Sequence, residues 1–208
     1  MRVLLTGATG FIGRALIPLL QRDGHAVVAW VRSPASARSQ LGAEVELVPA
    51  DAGFDVLVRA IERCDAVVNL AGEPLMGGRW TAVRRALLED SRVTVTDVLV
   101  RAIAAARTRP GVFISGSAVG YYGDRGEETL TETSTSGDGF LEQLCREWEL
   151  AAQPAEALGL RVVRLRTGVV LGRAGARWRA CCRRLQLAWA DPSEPAGNTC
   201  RGFISTIS

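Results

Sequence analysis

At 208 residues, 48% hydrophobic and 23% charged, the chain has the size and composition of one α/β domain with enough apolar material for a real core. No apolar run reaches the roughly 18 to 20 residues of a membrane span, and no leader with a cleavage site precedes the first strand, so a cytoplasmic protein without a membrane partner is expected. All 25 basic residues are arginine, and residues 1–176 hold 20 of them against 20 Asp and Glu, a balance that gives nucleic acid no basic face to bind.

Short β-rich runs alternate with longer helical patterns, which predicts βαβ units and a doubly wound parallel sheet of the Rossmann type. Val3–Thr6 reads as the first strand and Phe11 to about Arg22 as the first helix. Ala26–Val31 follows as the second strand and Val45–Val48 as the third. A helix is expected around Phe54–Arg63, then a fourth strand at Ala66–Leu70, apolar but for Asn69 and suited to burial on both faces. From about Trp80 to Arg107 a long helix is expected, with Val95, Val98, Leu99, Ala102, Ile103 and Ala106 on one apolar stripe. Val112–Ser115 is the fifth strand, residues 123–139 a loop over the site, Gly139 to Ala157 a helix, and Arg161–Leu165 the sixth strand. The five cysteines (Cys64, Cys145, Cys181, Cys182, Cys200) lack zinc-type spacing, so reduced thiols and no metal site are expected.

Between the first strand and helix runs Thr6-Gly7-Ala8-Thr9-Gly10-Phe11-Ile12-Gly13. Gly7 permits the tight turn out of the strand, Gly10 lets backbone approach a pyrophosphate, and Gly13 lets the helix pack on the sheet. Thr9, Phe11 and Ile12 complete the turn and the helix N-terminus, whose unpaired N–H groups favour phosphate. This is the signature of a nicotinamide-dinucleotide site. At the end of the second strand, where NAD-selective sites place a carboxylate, the chain has Arg32 and Ser33. A planar cation with a hydroxyl neighbour suits a 2′-phosphate, so NADP(H) is expected over NAD(H). Asp51, at the end of the third strand, is a candidate adenine neighbour, and Leu70, Ala71 and Gly72 form a small-residue turn bordering the cofactor.

These segments resemble the extended short-chain dehydrogenase/reductases of the NAD-dependent epimerase/dehydratase superfamily, in an atypical branch of epimerase family proteins. The resemblance is carried by Gly7–Gly13, Asn69–Glu73, Arg79–Thr81, Ser91–Val93, Ser115–Gly123, Gly137–Glu149 and Arg166–Gly172. It implies a Rossmann domain followed by a smaller substrate domain. Catalysis in the wider superfamily uses a serine and a Tyr-x-x-x-Lys pair. Ser117 matches the serine, whereas the pair is absent: its positions align with Leu141 and Cys145, and the chain has no lysine. Tyr121 and Tyr122 are the only tyrosines. Tyr122 or its neighbour can serve as a surrogate proton donor, and equally both can pack under the loop. Arg92 and Arg79 can hold an anionic substrate or cofactor group or can pair on a helix surface, and Glu73 is a possible general base.

The family pattern stops near Gly175, and from Arg177 onward the residues are rich in Arg, Trp and Cys without strand or helix period. A divergent, poorly ordered tail over 176–208 is one reading. A shifted reading frame is the sharper one, because frame-shifted codons can spell Ala-Leu-Ala-Arg-Leu-Leu-Pro-Ala-Phe and later Gly-Gly-Pro-Ile-Gly-Ala-Gly-Arg-Gln-Tyr-Met. The expectation is a cofactor domain over 1–175 with its substrate domain largely missing. Its function is expected to be that of an NADP(H)-dependent oxidoreductase or nucleotide-sugar epimerase acting on a small molecule, or of a non-catalytic dinucleotide-binding module.

Overall fold

A computed structural model of the chain describes residues 1–75 and 81–170. Met1–Arg166 forms one compact unit, and Thr167–Ser208 is assigned to a second. The expected tail over 176–208, with its shifted frame, lies outside the described residues, as do Arg79 and Trp80.

Strands β1 (Arg2–Thr6), β2 (Ala26–Val31), β3 (Glu46–Pro49), β4 (Ala66–Asn69), β5 (Val112–Ala118) and β6 (Arg161–Thr167) form a six-stranded parallel sheet in the order β3-β2-β1-β4-β5-β6. This is the Rossmann order, with its switch point between β1 and β4, where sequential connections leave in opposite directions along the sheet. Helices α1 (Phe11–Arg22), α2 (Pro34–Leu41), α3 (Phe54–Glu62), α4 (Ala82–Glu89), α5 (Val95–Ala105), α6 (Phe140–Ala152) and α7 (Pro154–Ala157) make the crossovers.

Alternation along the strands sorts the core into two layers. Val3, Leu5, Val27 and Ala29 pack with Ile17 of α1 and Ala37 of α2. Their neighbours Leu4, Val28, Val67 and Phe113 point the other way and pack with Leu57 and Ile61 of α3 and Leu99 and Ile103 of α5. Leu4, Leu5, Val67 and Phe113 are completely buried. The sheet is therefore covered on both faces, and its open margin is the carboxyl edge of the strands.

Three differences from the sequence expectations matter for the site. The long helix is interrupted by a π turn at Asp90–Thr94 between α4 and α5. One extra residue in the turn rotates the side chains that follow, and such insertions recur at functional positions. β5 runs three residues beyond Ser115, to Ala118, because Gly116 and Ser117 are buried at the sheet's end rather than leaving it as a loop. A 3-10 turn at Val119–Tyr122 then holds both tyrosines. The helix expected over Gly139 to Ala157 is divided into α6 and α7, with Pro154 opening the second as its missing N–H and fixed φ favour.

Candidate cofactor and catalytic site

The glycine turn sits at the carboxyl end of β1, and its backbone explains two of its three glycines directly. Gly7 has φ +66°, and a Cβ there would collide with the Leu70 carbonyl. A Cβ on Gly13 would strike the Gly7 carbonyl and Ala8, so α1 can lie close to the turn only without one. Gly10 is different. It is exposed, donates its N–H to the Gly7 carbonyl at 2.9 Å, and a Cβ there would meet only that same carbonyl, at 3.0 Å. Gly10 is also the N-cap of α1, with no side-chain cap and no acidic residue in the first turn. The helix N–H groups at Phe11, Ile12 and Gly13 thus have no capping side chain of their own, and Thr9 lies half-buried beside them. A turn shaped this way fits a pyrophosphate.

A buried polar chain ties this turn to the switch point. The Thr6 hydroxyl donates to Asn69 Oδ1 at 2.6 Å and accepts the Ala71 N–H at 3.1 Å. Asn69 Nδ2 donates to Thr96 Oγ1 at 2.8 Å, and Thr96 donates to the Arg92 carbonyl at 2.6 Å. β1, β4 and the start of α5 are therefore fastened together under Leu70, Ala71 and Gly72.

Arg92 does not pair on the helix surface, which corrects that expectation. The π turn carries it inward, where it is 9% exposed and its guanidinium lies 3.2 Å from the place a Gly72 Cβ would occupy. It donates to the carbonyls of Leu88 at 3.1 Å and Glu73 at 2.9 Å and stands 5.3 Å over the Trp148 ring. Burial lowers its pKa from the ordinary arginine value, and the nearby Cys145 and Glu73 oppose that effect. Gly72 is needed for that cation, just as Gly116 makes room for Trp148, whose ring comes within 3.0 Å of a Gly116 Cβ.

At the other side of the turn, Arg32 follows β2 and is exposed, with Ser33 as the uncapping N-cap of α2 and Pro34 at its first position. Arg32 Nη1 donates to Glu73 Oε1 at 3.0 Å. Asp51 lies exposed in a 3-10 turn after β3, at the far margin of the same edge.

The second cluster is at the ends of β5 and β6. Ser117 is 3% exposed, and its hydroxyl donates to Glu149 Oε1 at 2.7 Å. Arg166 grips the same carboxylate with both arms of its fork, Nε to Oε1 at 2.7 Å and Nη2 to Oε2 at 2.8 Å. Arg166 Nη1 donates to the Tyr122 phenol oxygen at 2.8 Å, and its guanidinium lies 3.6 Å from the Tyr121 ring centroid. Burial alone would raise the Glu149 pKa, but the bonds from Arg166 and Ser117 overcome it and hold the carboxyl below its ordinary value. The same pairing keeps Arg166 firmly protonated. Glu149 and Arg166 were not singled out from the sequence, although each stands at the end of a segment that carries the family resemblance.

A family model described as the NAD dependent epimerase/dehydratase family matches residues 3–180. The chain belongs to that family. An epimerase family protein of Mycobacterium bovis is 42% identical over 177 residues, covering 85% of this chain and 56% of the relative. A chloroplastic SDR39U1 homolog of Arabidopsis thaliana is 39% identical over 184 residues, covering 84% of this chain and 50% of the relative. The chain thus spans about half the length of the curated relatives it matches. Among solved structures, human epimerase family protein SDR39U1 (isoform 2) with NADPH superposes with TM-score 0.74 at 34% identity, over 90% of this chain and 60% of that one. A UDP-glucuronic acid 4-epimerase of Bacillus cereus, solved with UDP-glucuronic acid and NAD, shares the fold at TM-score 0.72 and 20% identity, over 89% of this chain and 63% of that one.

Within this epimerase-family fold, the helix position expected for Tyr-x-x-x-Lys is α6, which presents Leu141 and Cys145 instead. Burial pushes the Cys145 thiol up to about 11, so it holds its proton at neutral pH. Ser117 and Tyr122 are brought to one hydrogen-bonded chain, Ser117–Glu149–Arg166–Tyr122. Among the described residues no group of His, Cys, Asp and Glu could hold a metal ion, and no helix is long and apolar enough to cross a membrane.

Proposed function

We propose that the chain is the cofactor-binding part of an NADP(H)-preferring, epimerase-like oxidoreductase of the cytoplasm whose small-molecule substrate is a nucleotide sugar. The observation that carries the cofactor reading is Arg32, an exposed guanidinium with the Ser33 hydroxyl beside it, at the end of β2 and next to an uncapped glycine turn. The pyrophosphate lies against Gly10 and the N–H groups of Phe11, Ile12 and Gly13, the adenosine 2′-phosphate against Arg32 and Ser33, and Asp51 borders the adenine. Leu70, Ala71 and Gly72 border the nicotinamide half, with Arg92 beneath supplying positive charge. The NADPH-bound human relative supports this reading.

The bound nicotinamide supplies hydride transfer; proton handling falls to the side chains. Ser117 directs its proton at Glu149 and so holds that carboxylate in place beside the site. The Tyr122 oxygen already accepts from Arg166, so its own O–H is the donor to a substrate oxygen, and Arg166 puts positive charge where negative charge would develop.

A second reading, a non-catalytic dinucleotide-binding module, is favoured by the commitment of the Ser117 proton to Glu149 and by the missing lysine. Fluorescence titration of this chain, and NADPH oxidation over a panel of nucleotide sugars by a full-length relative carrying the same site residues, decide between them. The enzyme reading expects NADPH to bind at least about tenfold tighter than NADH, the worth of one charge-assisted contact. It also expects turnover that Tyr122→Phe abolishes while leaving NADPH binding intact. Binding without turnover on any substrate supports the module, and equal affinity for the two cofactors sinks the NADP(H) preference.

A further inference from the structure

The strands on either side of β1 end in groups that reach each other across the glycine turn. Arg32 follows β2 and Glu73 lies four residues beyond β4, and strands two positions apart in a sheet stand about 10 Å from one another. The 3.0 Å bond from Arg32 Nη1 to Glu73 Oε1 therefore runs from one side of the β1 terminus to the other. A dinucleotide laid over the turn, from adenosine at β2 to nicotinamide at β4, follows the same path.

The two ends of this bridge are not alike. Glu73 is anchored: its N–H donates to Ser91 Oγ at 3.0 Å, its carbonyl accepts from Arg92 at 2.9 Å, and Arg84 Nη1 stands 4.0 Å from its second carboxylate oxygen. Arg84 also donates to the neighbouring Pro74 carbonyl. The Glu73 side chain is 20% exposed, whereas that of Arg32 is 87% exposed. The guanidinium is the arm that can swing and the carboxylate is its rest.

We propose that Glu73 tunes cofactor specificity: it holds Arg32 across the crevice, yields it only to a ligand bearing a 2′-phosphate, and by competing with that phosphate tempers the preference for NADP(H). The inference rests on the NADP(H) reading above. A phosphate monoester carries about −1.5 to −2 near neutral pH and presents three oxygens to the guanidinium fork, so it outcompetes a single carboxylate. The uncharged 2′-hydroxyl of NAD(H) has no means to do so, and Arg32 stays with Glu73.

Dissociation constants for NADPH and NADH, measured on the full chain for wild type, Glu73→Gln, Arg32→Gln and the double variant, test this. Glu73→Gln keeps the backbone bonds to Ser91 and Arg92, and an unchanged thermal midpoint confirms that each variant is folded. Glu73→Ala serves as the second probe of the same carboxylate. Removing the competitor is expected to tighten NADPH by about two- to fivefold, the worth of an exposed ion pair, with NADH shifted less than twofold. The gain must vanish when Arg32 is also replaced. An unchanged or weaker NADPH affinity in both Glu73 variants, an equal gain for NADH, or a gain that survives in the double variant overturns the proposal. If Arg32→Gln weakens NADPH while both Glu73 variants are neutral, only this inference fails. If Arg32→Gln leaves NADPH affinity unchanged, the 2′-phosphate reading itself falls.

Discussion

Gly7 and Gly10 stand three residues apart in one turn and answer to different constraints. Gly7 is held at φ +66° against the Leu70 carbonyl, so its lack of a side chain is a requirement of the fold. An alanine there meets both the left-handed penalty, about 1–2 kcal/mol, and a backbone collision that β1 and β4 must separate to relieve. Gly10 has ordinary backbone angles, φ −72° and ψ 173°, and a Cβ would need only a small adjustment against the Gly7 carbonyl. Gly7→Ala is therefore expected to lower the urea midpoint sharply, by more than about 2 kcal/mol in stability. Gly10→Ala should melt near wild type and lose NADPH affinity at least about tenfold, because its methyl group projects where the phosphates come close. If the two variants proved equally unstable, the division of labour between them would be wrong. Arg92 belongs to the same scale. Its guanidinium serves carbonyls of Leu88 and Glu73 that have lost water, and Arg92→Met leaves those acceptors bare. The expected cost is about 1–3 kcal/mol, read from denaturant unfolding.

At the level of elements, what was legible in the sequence was whatever depends on local pattern. α1 and β2 have the expected bounds, because a period of 3.6 or an unbroken apolar run is written in neighbouring residues. α2 was not anticipated. Pro34-Ala35-Ser36-Ala37 carries little apolar contrast, and the helix buries only Ala37. The π turn was equally hidden, since Asp90–Thr94 continues a helical pattern and nothing local marks an inserted residue. It is decided by tertiary demand: Leu88 and Leu99 must both be buried, on either side of a point where Arg92 and Thr96 must also face inward. For the site, the glycines could be named because they keep a motif's spacing, and Arg32 because it stands where the motif expects a carboxylate. The Glu149–Arg166 pair could not, because its partners are 17 residues apart and meet only when α6 packs beside β6. A substitution in α6 distinguishes a fold role from a site role for that pair. Glu149→Ala strands the guanidinium beside two aromatic rings and should cost about 3 kcal/mol or more. Replacing both partners should cost less than the sum of the single changes, which a double-mutant cycle in urea would show.

At the scale of the whole molecule, the shifted groups predict how stability depends on pH, and each limb has its own sign. Glu149 has a folded pKa below its ordinary value, held there by Arg166 and Ser117 against the opposing effect of burial. The unfolded chain binds a proton at Glu149 near pH 4.3, while the folded chain still refuses one. Stability is then fully expressed above that pH and declines as the pH falls through the lower, folded value. The cysteines act in the other direction. Burial raises Cys64 and Cys145 from 9.0 to about 11, so the folded chain keeps both thiol protons after the unfolded chain has begun to release them. With fewer protons bound in the unfolded state, stability falls as pH rises from about 9 toward 11. The expected profile is a plateau over roughly pH 5 to 8 with an acid limb owned by Glu149 and an alkaline limb owned by the two thiols. Urea midpoints across pH 3 to 10.5 test it, in about half-unit steps, on the wild type, Glu149→Gln and the Cys64→Ala/Cys145→Ala pair. Glu149→Gln should lower the plateau and flatten the acid limb while leaving the alkaline one in place. The double cysteine change should do the reverse, since a buried alanine has no proton to hold. An acid limb of undiminished slope in Glu149→Gln would assign the loss to other carboxylates and remove the Ser117–Glu149–Arg166 chain from the protein's pH response.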